Sequence, residues 1–347
     1  MSAGPALAAT RSGITARPPR ATVADESGDP RTPLPVPSVV VYRVETDGHR
    51  QTGVLVEVAV DDYRRGRIRR HEATRPDQER EVARSTATSG TERAPVTLAH
   101  AHRPELDAVV RETAEGAPDV RLHRDGLTHI VWTRQDPRAL RTVLDELTGL
   151  DALYLADGHH RMAAAARRSG TGRSAFTLAA LFPQEQMRVL GYHRCLPRPT
   201  TSTSDLLGAL AQHPATARVE RCTEPQAPET LLPEPGVVVM VLDGCWYRIH
   251  LRSLHEPADV RASLDVVQLD EGLLPRIAQG PATAVSGGSD PVEVARRCDR
   301  EGSVGFLLHP PTVAQVVAVA DTGQVLPAKS TWFDPKTSSG LFLRALS

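Results

Sequence analysis

Lysine is almost missing from this chain. Of its 41 basic residues only Lys329 and Lys336 are lysines, and all the others are arginines. A bias of that kind reflects genome base composition and sets the two survivors apart. A lysine can meet a phosphate as a compact point charge, which a planar guanidinium cannot; with only two residues, chance competes with that reading. Aromatic residues make up 4% of the sequence, too few for the stacking platforms that hold single-stranded nucleic acid. The formal net charge of −1 excludes nucleic-acid binding through bulk positive charge. No apolar run approaches the roughly 18–20 residues of a membrane span, and residues 1–10 lack the pattern of a secretory signal. Cysteine is scarce too. Cys195, Cys222, Cys245 and Cys298 are widely spaced without a C-x-x-C pair, which suits reduced thiols in a cytoplasm better than a disulfide frame or a zinc site. The expected partners are small molecules, with no nucleic acid and no membrane, and the expected location is cytoplasmic.

With 347 residues there is enough chain for one large or two ordinary domains. Residues 1–37 are rich in Pro, Ala, Arg and Thr without a hydrophobic period and read as a disordered leader. Order is expected from residue 38, with a hairpin over 38–44 and 52–60 across Thr46-Asp47-Gly48. Strands follow at 96–100 and 126–133. Helices are expected from Pro76 and over 104–115 and 137–147. Residues 174–182 and 188–192 look like paired strands joined by 183–186. The stretch 200–235 carries few order signals beyond a helix at 205–212. A second hairpin spans 237–242 and 246–251. Helices at 264–278, 291–300 and 311–320, a strand at 303–308 and a closing loop and strand at 331–346 complete a mixed α/β or α+β chain.

The most telling stretch is 153–168. An apolar strand, 153–156, runs into Asp157-Gly158-His159-His160-Arg161 and continues as an alanine-rich helix. A strand-turn-helix junction aims backbone N–H groups and the positive end of the helix dipole at one point, where an anion fits. Arg161 and two imidazoles make that point a phosphate site, with Asp157 placed to cap the helix or hold a metal. The plainer alternative is a capped helix with a solvated turn. Two further segments mix charge and hydroxyls: His71-Glu72-Ala73-Thr74-Arg75, and Lys329-Ser330-Thr331 through to Lys336. Surface charge explains the first equally well, and a solvated loop around a packed Trp332 explains the second. His129, in an alternating strand, reads as a satisfied strand histidine.

Taken in order, these segments resemble the bacterial and archaeal domain-of-unknown-function family 1015 over roughly residues 38–347. The matching signals are 61–75, His129-x-x-Trp132, 153–161, 180–183, Gly244-x-Trp246-Tyr247, 264–266, Ala320-Asp-x-Gly323 and 329–336. The Asp-Gly-His-His-Arg turn of that family is similar to a turn in the ParB/sulfiredoxin-like superfamily, whose members bind nucleotide phosphates there. Some of them phosphorylate the hydroxyl of free L-serine.

The resemblance implies a ParB/sulfiredoxin-like nucleotide-binding core at 38–200 and a C-terminal α/β region, 201–347, completing the site. It implies ATP or ADP as phosphoryl donor with Mg²⁺. Asp157 would be the metal ligand, and Gly158, His159, His160, Arg161, Lys329, Ser330, Thr331 and Lys336 would lie around the phosphates. Asp157, His160 and Arg161 would be catalytic, and His71, Thr74 and Arg75 would hold an amino-acid substrate. No position matching the superfamily's catalytic glutamate can be fixed by sequence; Glu72 is chosen because it sits beside a His, a Thr and an Arg. A nucleotide-binding regulatory protein without turnover is the alternative, and a homodimer is among the assemblies left open. The chain departs from the family in three places. It lacks a Pro-Pro-Tyr-Asp-Val-like segment near the N-terminus, it carries Gln78 where a basic residue is usual, and it is short between Leu264 and Gly287-Gly288.

Overall fold

The computed structural model describes residues 13–25, 29–169, 175–222, 233–252, 259–277 and 286–346. The start of the expected leader, Ser174, most of 223–235 and the end of the 264–278 helix lie outside them. Contacts divide the chain into two compact units: Met1–Arg70 with Thr74–Met187 and Pro335–Ser347, and His71–Ala73 with Arg188–Asp334. The change of unit falls ahead of residue 200, and the C-terminal segment returns to the first unit. It returns because the strand Phe342–Ala345 pairs with Thr22–Ala24 on one edge and Thr91–Glu92 on the other.

Among the described residues the first unit is built on a nine-stranded mixed sheet. Its order is Ile68–Arg69, Leu153–Asp157, Val96–His100, Phe176–Pro183, His49–Ala59, Val39–Thr46, Leu127–Arg134 and Val120–Arg124, with Ala16–Arg17 also paired to His49–Ala59. Helices Pro104–Ala114 and Pro137–Thr148 bring Leu106, Val109, Val143 and Leu147 into one core with Val41, Leu98, Leu153 and Leu181 of the sheet. Fully burying one such side chain is worth about 1.5–3 kcal/mol. Local signals set the helix starts. Pro76, Pro104, Pro137 and Pro291 all sit in first turns, where a missing N–H costs nothing. Asp136 and Asp290 cap their helices through pairs of backbone amides.

The expected disordered leader is corrected over its described part. Ala16–Arg17, Thr22–Ala24 and Pro30–Pro33 are short strands, and Ile14, Val23 and Leu34 are buried. Ion pairing holds this segment where apolar periodicity is missing. Arg17 donates twice to the buried Glu57 (2.9 and 2.6 Å) and lies over the Phe176 ring at 4.1 Å, while the Arg20 amide reaches the other Glu57 oxygen at 2.9 Å. The expected pairing of 174–182 with 188–192 is also corrected. Phe176–Pro183 has both edges taken, by His49–Ala59 and Val96–His100. Arg188–Leu190 therefore pairs with Trp332–Asp334 in the second unit.

The second unit carries a six-stranded antiparallel sheet among the described residues, ordered Thr216–Arg221, Cys245–Leu251, Val237–Leu242, Val304–Leu307, His193–Leu196 and Ser286–Gly288. Val237–Leu242 is buried on both faces, so its apolar run does not alternate. Val238 and Met240 join Leu206, Leu210, Ile249, Leu269 and Phe306 on one side. Val239 joins Val294, Cys195 and Cys298 on the other. Two of the widely spaced cysteines thus meet, Cys195 and Cys298 lying 2.7 Å apart as buried free thiols. The expected helix at 264–278 is helical over 265–277, with a π turn at Gln268–Leu273. Among the described residues no helix is long and apolar enough to cross a membrane.

Candidate functional site

The turn singled out in the sequence is a real strand-to-helix junction. Leu153–Asp157 ends on Gly158, which takes φ = +91° and serves as N-cap of the helix His159–Arg168. The backbone requires glycine there. L-residues avoid that φ, and a Cβ would lie 2.9–3.0 Å from the Arg161 guanidinium, which rests on the turn. The first bond of the helix runs from Met162 N–H to Gly158 O at 2.9 Å. The amides ahead of it have no helical carbonyl to meet, which is the usual basis of an anion site.

Asp157 does not cap this helix, contrary to one of its expected roles. Its Oδ2 accepts from Arg161 Nη2 at 2.6 Å, and its Oδ1 lies 3.3 Å from Lys336 Nζ. Arg161 Nη2 also donates to Pro95 O at 3.1 Å. Burial by itself would raise the Asp157 carboxyl, but the charges of Arg161 and Lys336 outweigh it and hold the group below its ordinary 3.8. The two cations outnumber the carboxylate, so the trio carries one net positive charge at the start of a helix. One of the two lysines thus belongs to this trio.

This arrangement does not fit Asp157 as a magnesium ligand. Mg²⁺ takes carboxylate oxygens with near-ideal octahedral geometry, and both oxygens here already face cations. Among the described residues no three His, Cys, Asp or Glu side chains gather as a metal site.

The remaining expected residues fall into two groups. In the first unit, His160 Nε2 accepts from the Arg75 amide at 3.1 Å, tying the loop before Pro76–Ser89 to the turn. The Arg75 guanidinium pairs with Asp77 at 2.7 Å on an exposed surface. Thr74 Oγ1 donates to Glu79 Oε1 at 2.6 Å, and Glu79 also receives Arg167 at 2.7 Å. The Thr74 hydroxyl therefore ties the loop to the helix Pro76–Ser89, and Glu79 with Arg167 joins that helix to His159–Arg168. His159 is buried.

His71, Glu72, Lys329, Ser330 and Thr331 belong to the second unit. There His71 Nε2 and Thr331 Oγ1 are 2.9 Å apart, and Glu72 bridges in parallel to Leu326. Ser330 Oγ donates to Pro327 O at 2.5 Å. Lys329 has φ = +61° and holds its ammonium 5.5 Å from the Tyr192 ring centre. The fully buried Arg194 sets that loop, donating to Lys329 O at 2.7 Å and to Asp270 at 3.1 and 2.8 Å. Sequence reasoning missed Arg194 and Asp270, since no local pattern links residues so far apart. His129 is the satisfied strand histidine expected, between the Tyr42 hydroxyl (2.8 Å) and Ser338 Oγ (3.0 Å). Burial pushes it down to about 4, so it is neutral.

Comparison with known proteins adds a family. The model described as "Protein of unknown function (DUF1015)" matches residues 33–267, leaving 329–336 beyond the matched span. No curated protein matches the sequence significantly. Among solved structures, the chain is similar to SbnI with a C-terminal truncation from Staphylococcus aureus, at 15% identity and a TM-score of 0.43 over 82% of this chain and 85% of that one. It is also similar to a conserved hypothetical protein from Pyrococcus furiosus, at 15% identity and a TM-score of 0.40 over 82% and 95%. A free serine kinase mutant in complex with ADP gives 14% identity and a TM-score of 0.42 over 82% and 91%.

Proposed function

The chain belongs to the family of unknown function DUF1015, and we propose that it is a nucleotide-dependent kinase whose acceptor is the hydroxyl of free L-serine or a related hydroxy amino acid. The observation that carries the reading is the cationic pair Arg161 and Lys336, held on Asp157 at the start of the helix His159–Arg168. The family's turn is similar to the nucleotide-phosphate turn of the ParB/sulfiredoxin-like superfamily, which supports the same assignment.

Phosphoryl transfer asks a protein for charge neutralisation, in-line positioning and a group to take the hydroxyl proton. Before a nucleotide arrives, Asp157 keeps Arg161 and Lys336 in place. The phosphate chain of ATP or ADP then competes for both cations, and the 158–161 backbone receives its oxygens. The transferring group gains most from these donors as its charge spreads, because they are fixed beforehand. Arg75 offers a guanidinium for the acceptor's carboxylate. A base that orients or deprotonates the acceptor hydroxyl is worth roughly 10²–10⁴-fold, and Glu72 is the sequence candidate for that role.

The test is direct. Purified protein is incubated with Mg²⁺, ATP or ADP and a panel of hydroxy amino acids, and phosphoamino acid is measured. Product that disappears in Glu72→Gln and in Arg161→Ala is expected. Nucleotide binding without product, across donors and acceptors, overturns the transfer step and leaves a binding protein.

A further inference from the structure

A second concavity lies wholly within the second unit. A cleft of about 280 Å³ opens at the start of the helical run 265–277, walled by Leu251, Leu264, Val266, Pro310 and Pro311. In its polar lining the Ser263 hydroxyl donates to Val260 O and Thr312 and Gln315 bond each other, which leaves Asp265 and Gln268. Asp265 is 9% exposed, and both of its oxygens accept from the Gly236 amide, at 3.1 and 3.0 Å. Among the described residues no cation pairs with it. Gln268, three residues on and 8% exposed, donates through Nε2 to Ser263 O at 3.2 Å, while its buried Oε1 has no hydrogen-bond partner. Residues spaced i and i+3 share a helix face.

A buried carboxylate without a cation, beside an orphaned carbonyl oxygen, is costly to fold. Burial pushes the Asp265 carboxyl up to about 6, with only the Gly236 amide opposing. His309, the other titratable group of the lining, is held below its ordinary value by its own burial and is neutral at pH 7. The cleft thus presents a carboxylate and a carbonyl oxygen beside an apolar wall, with no cation paired to the carboxylate among the described residues. An ammonium brings one positive charge and three donors.

We propose that this cleft binds a small molecule carrying a primary ammonium on an aliphatic body, the ammonium meeting Asp265 and Gln268 Oε1 and the body packing on Leu251, Leu264 and Pro310. The site shares no residue with the Asp157 turn, and it stands whether or not the chain is a kinase.

The probes are three isosteres: isopentylamine, isopentanol and isovalerate, each titrated into the full-length protein at pH 7.5 by calorimetry. The amine is expected to bind about tenfold or more tighter than the alcohol, as a charge-assisted contact requires, and isovalerate not at all. Gln268→Met keeps the charge and removes the orphaned acceptor, so it should weaken the amine severalfold and leave the alcohol unchanged. Asp265→Asn should erase the amine's advantage. Equal binding of amine and alcohol by the wild-type protein, or an amine preference that survives Asp265→Asn, overturns the proposal, as does the absence of any amine binding. The wild-type series alone supports or overturns the proposal even where a variant fails to fold.

Discussion

Asp265→Asn should stabilise the protein, and only at neutral pH. The carboxyl titrates near 6 in the folded chain against an ordinary 3.8, because burial penalises the charged form. An acid whose folded value is raised takes up its proton more readily folded than unfolded. Below pH 4 both states are protonated and there is no penalty. Between pH 4 and 6 the unfolded chain ionises first and stability falls; above about 6 the whole penalty is in force. A shift of about two units is worth about 3 kcal/mol at 1.36 kcal/mol per unit. Asparagine is neutral throughout and keeps an oxygen for the Gly236 amide. Its advantage over the wild type should be near zero at pH 4 and approach about 3 kcal/mol at pH 7.5, with a rise of several degrees in the melting midpoint. Thermal and denaturant unfolding at the two pH values measure this. An advantage equal at both, or a loss of stability at pH 7.5, refutes the account of Asp265 as an uncompensated buried charge.

Three further outcomes follow from named contacts. Gly158→Ala forces a left-handed φ on alanine, at about 1–2 kcal/mol, and pushes its Cβ against Arg161. A lowered melting point together with weakened nucleotide binding is expected, and unchanged binding would show that the Arg161 placement is immaterial. Arg344→Ala removes the cation facing Glu57 at 3.1 Å and Glu92 at 3.3 Å, leaving Glu57 to Arg17 and Glu92 to Arg168. Denaturant unfolding should show a loss of about 1–3 kcal/mol, and an unchanged stability contradicts the reading. Glu72→Gln should spare nucleotide affinity while lowering turnover, whereas a parallel fall in both would remove Glu72 from the acceptor's side of the reaction.

The parts legible in the sequence were those specified by neighbours in the chain. Asp157-Gly158 announces a turn, proline marks the first turns of four helices, and Asp243-Gly244 closes a hairpin whose strands pair in register from Val237 with His250 to Leu242 with Cys245. The parts missed depend on distant partners. His193–Leu196 is a strand because Val304–Leu307 and Ser286–Gly288 flank it. The segment around Arg17 is ordered by Glu57 and Phe176, and no period in 13–33 signals it. The pairing of Lys336 with Asp157 has the same character, though the scarcity of lysine had pointed to the residue. The Asp265–Gln268 cleft left no trace, since a carboxylate without a partner looks like any aspartate until its burial is known.

The central claim is that a nucleotide's phosphates dock on Arg161 and Lys336 at the opening of the helix His159–Arg168. Calorimetric titration of ADP and ATP into the wild-type protein, Arg161→Ala and Lys336→Ala tests it most directly. Each substitution should weaken binding about tenfold or more, with the folded structure retained by circular dichroism. A wild-type chain that binds neither nucleotide, or variants that bind as tightly as it does, would contradict the account.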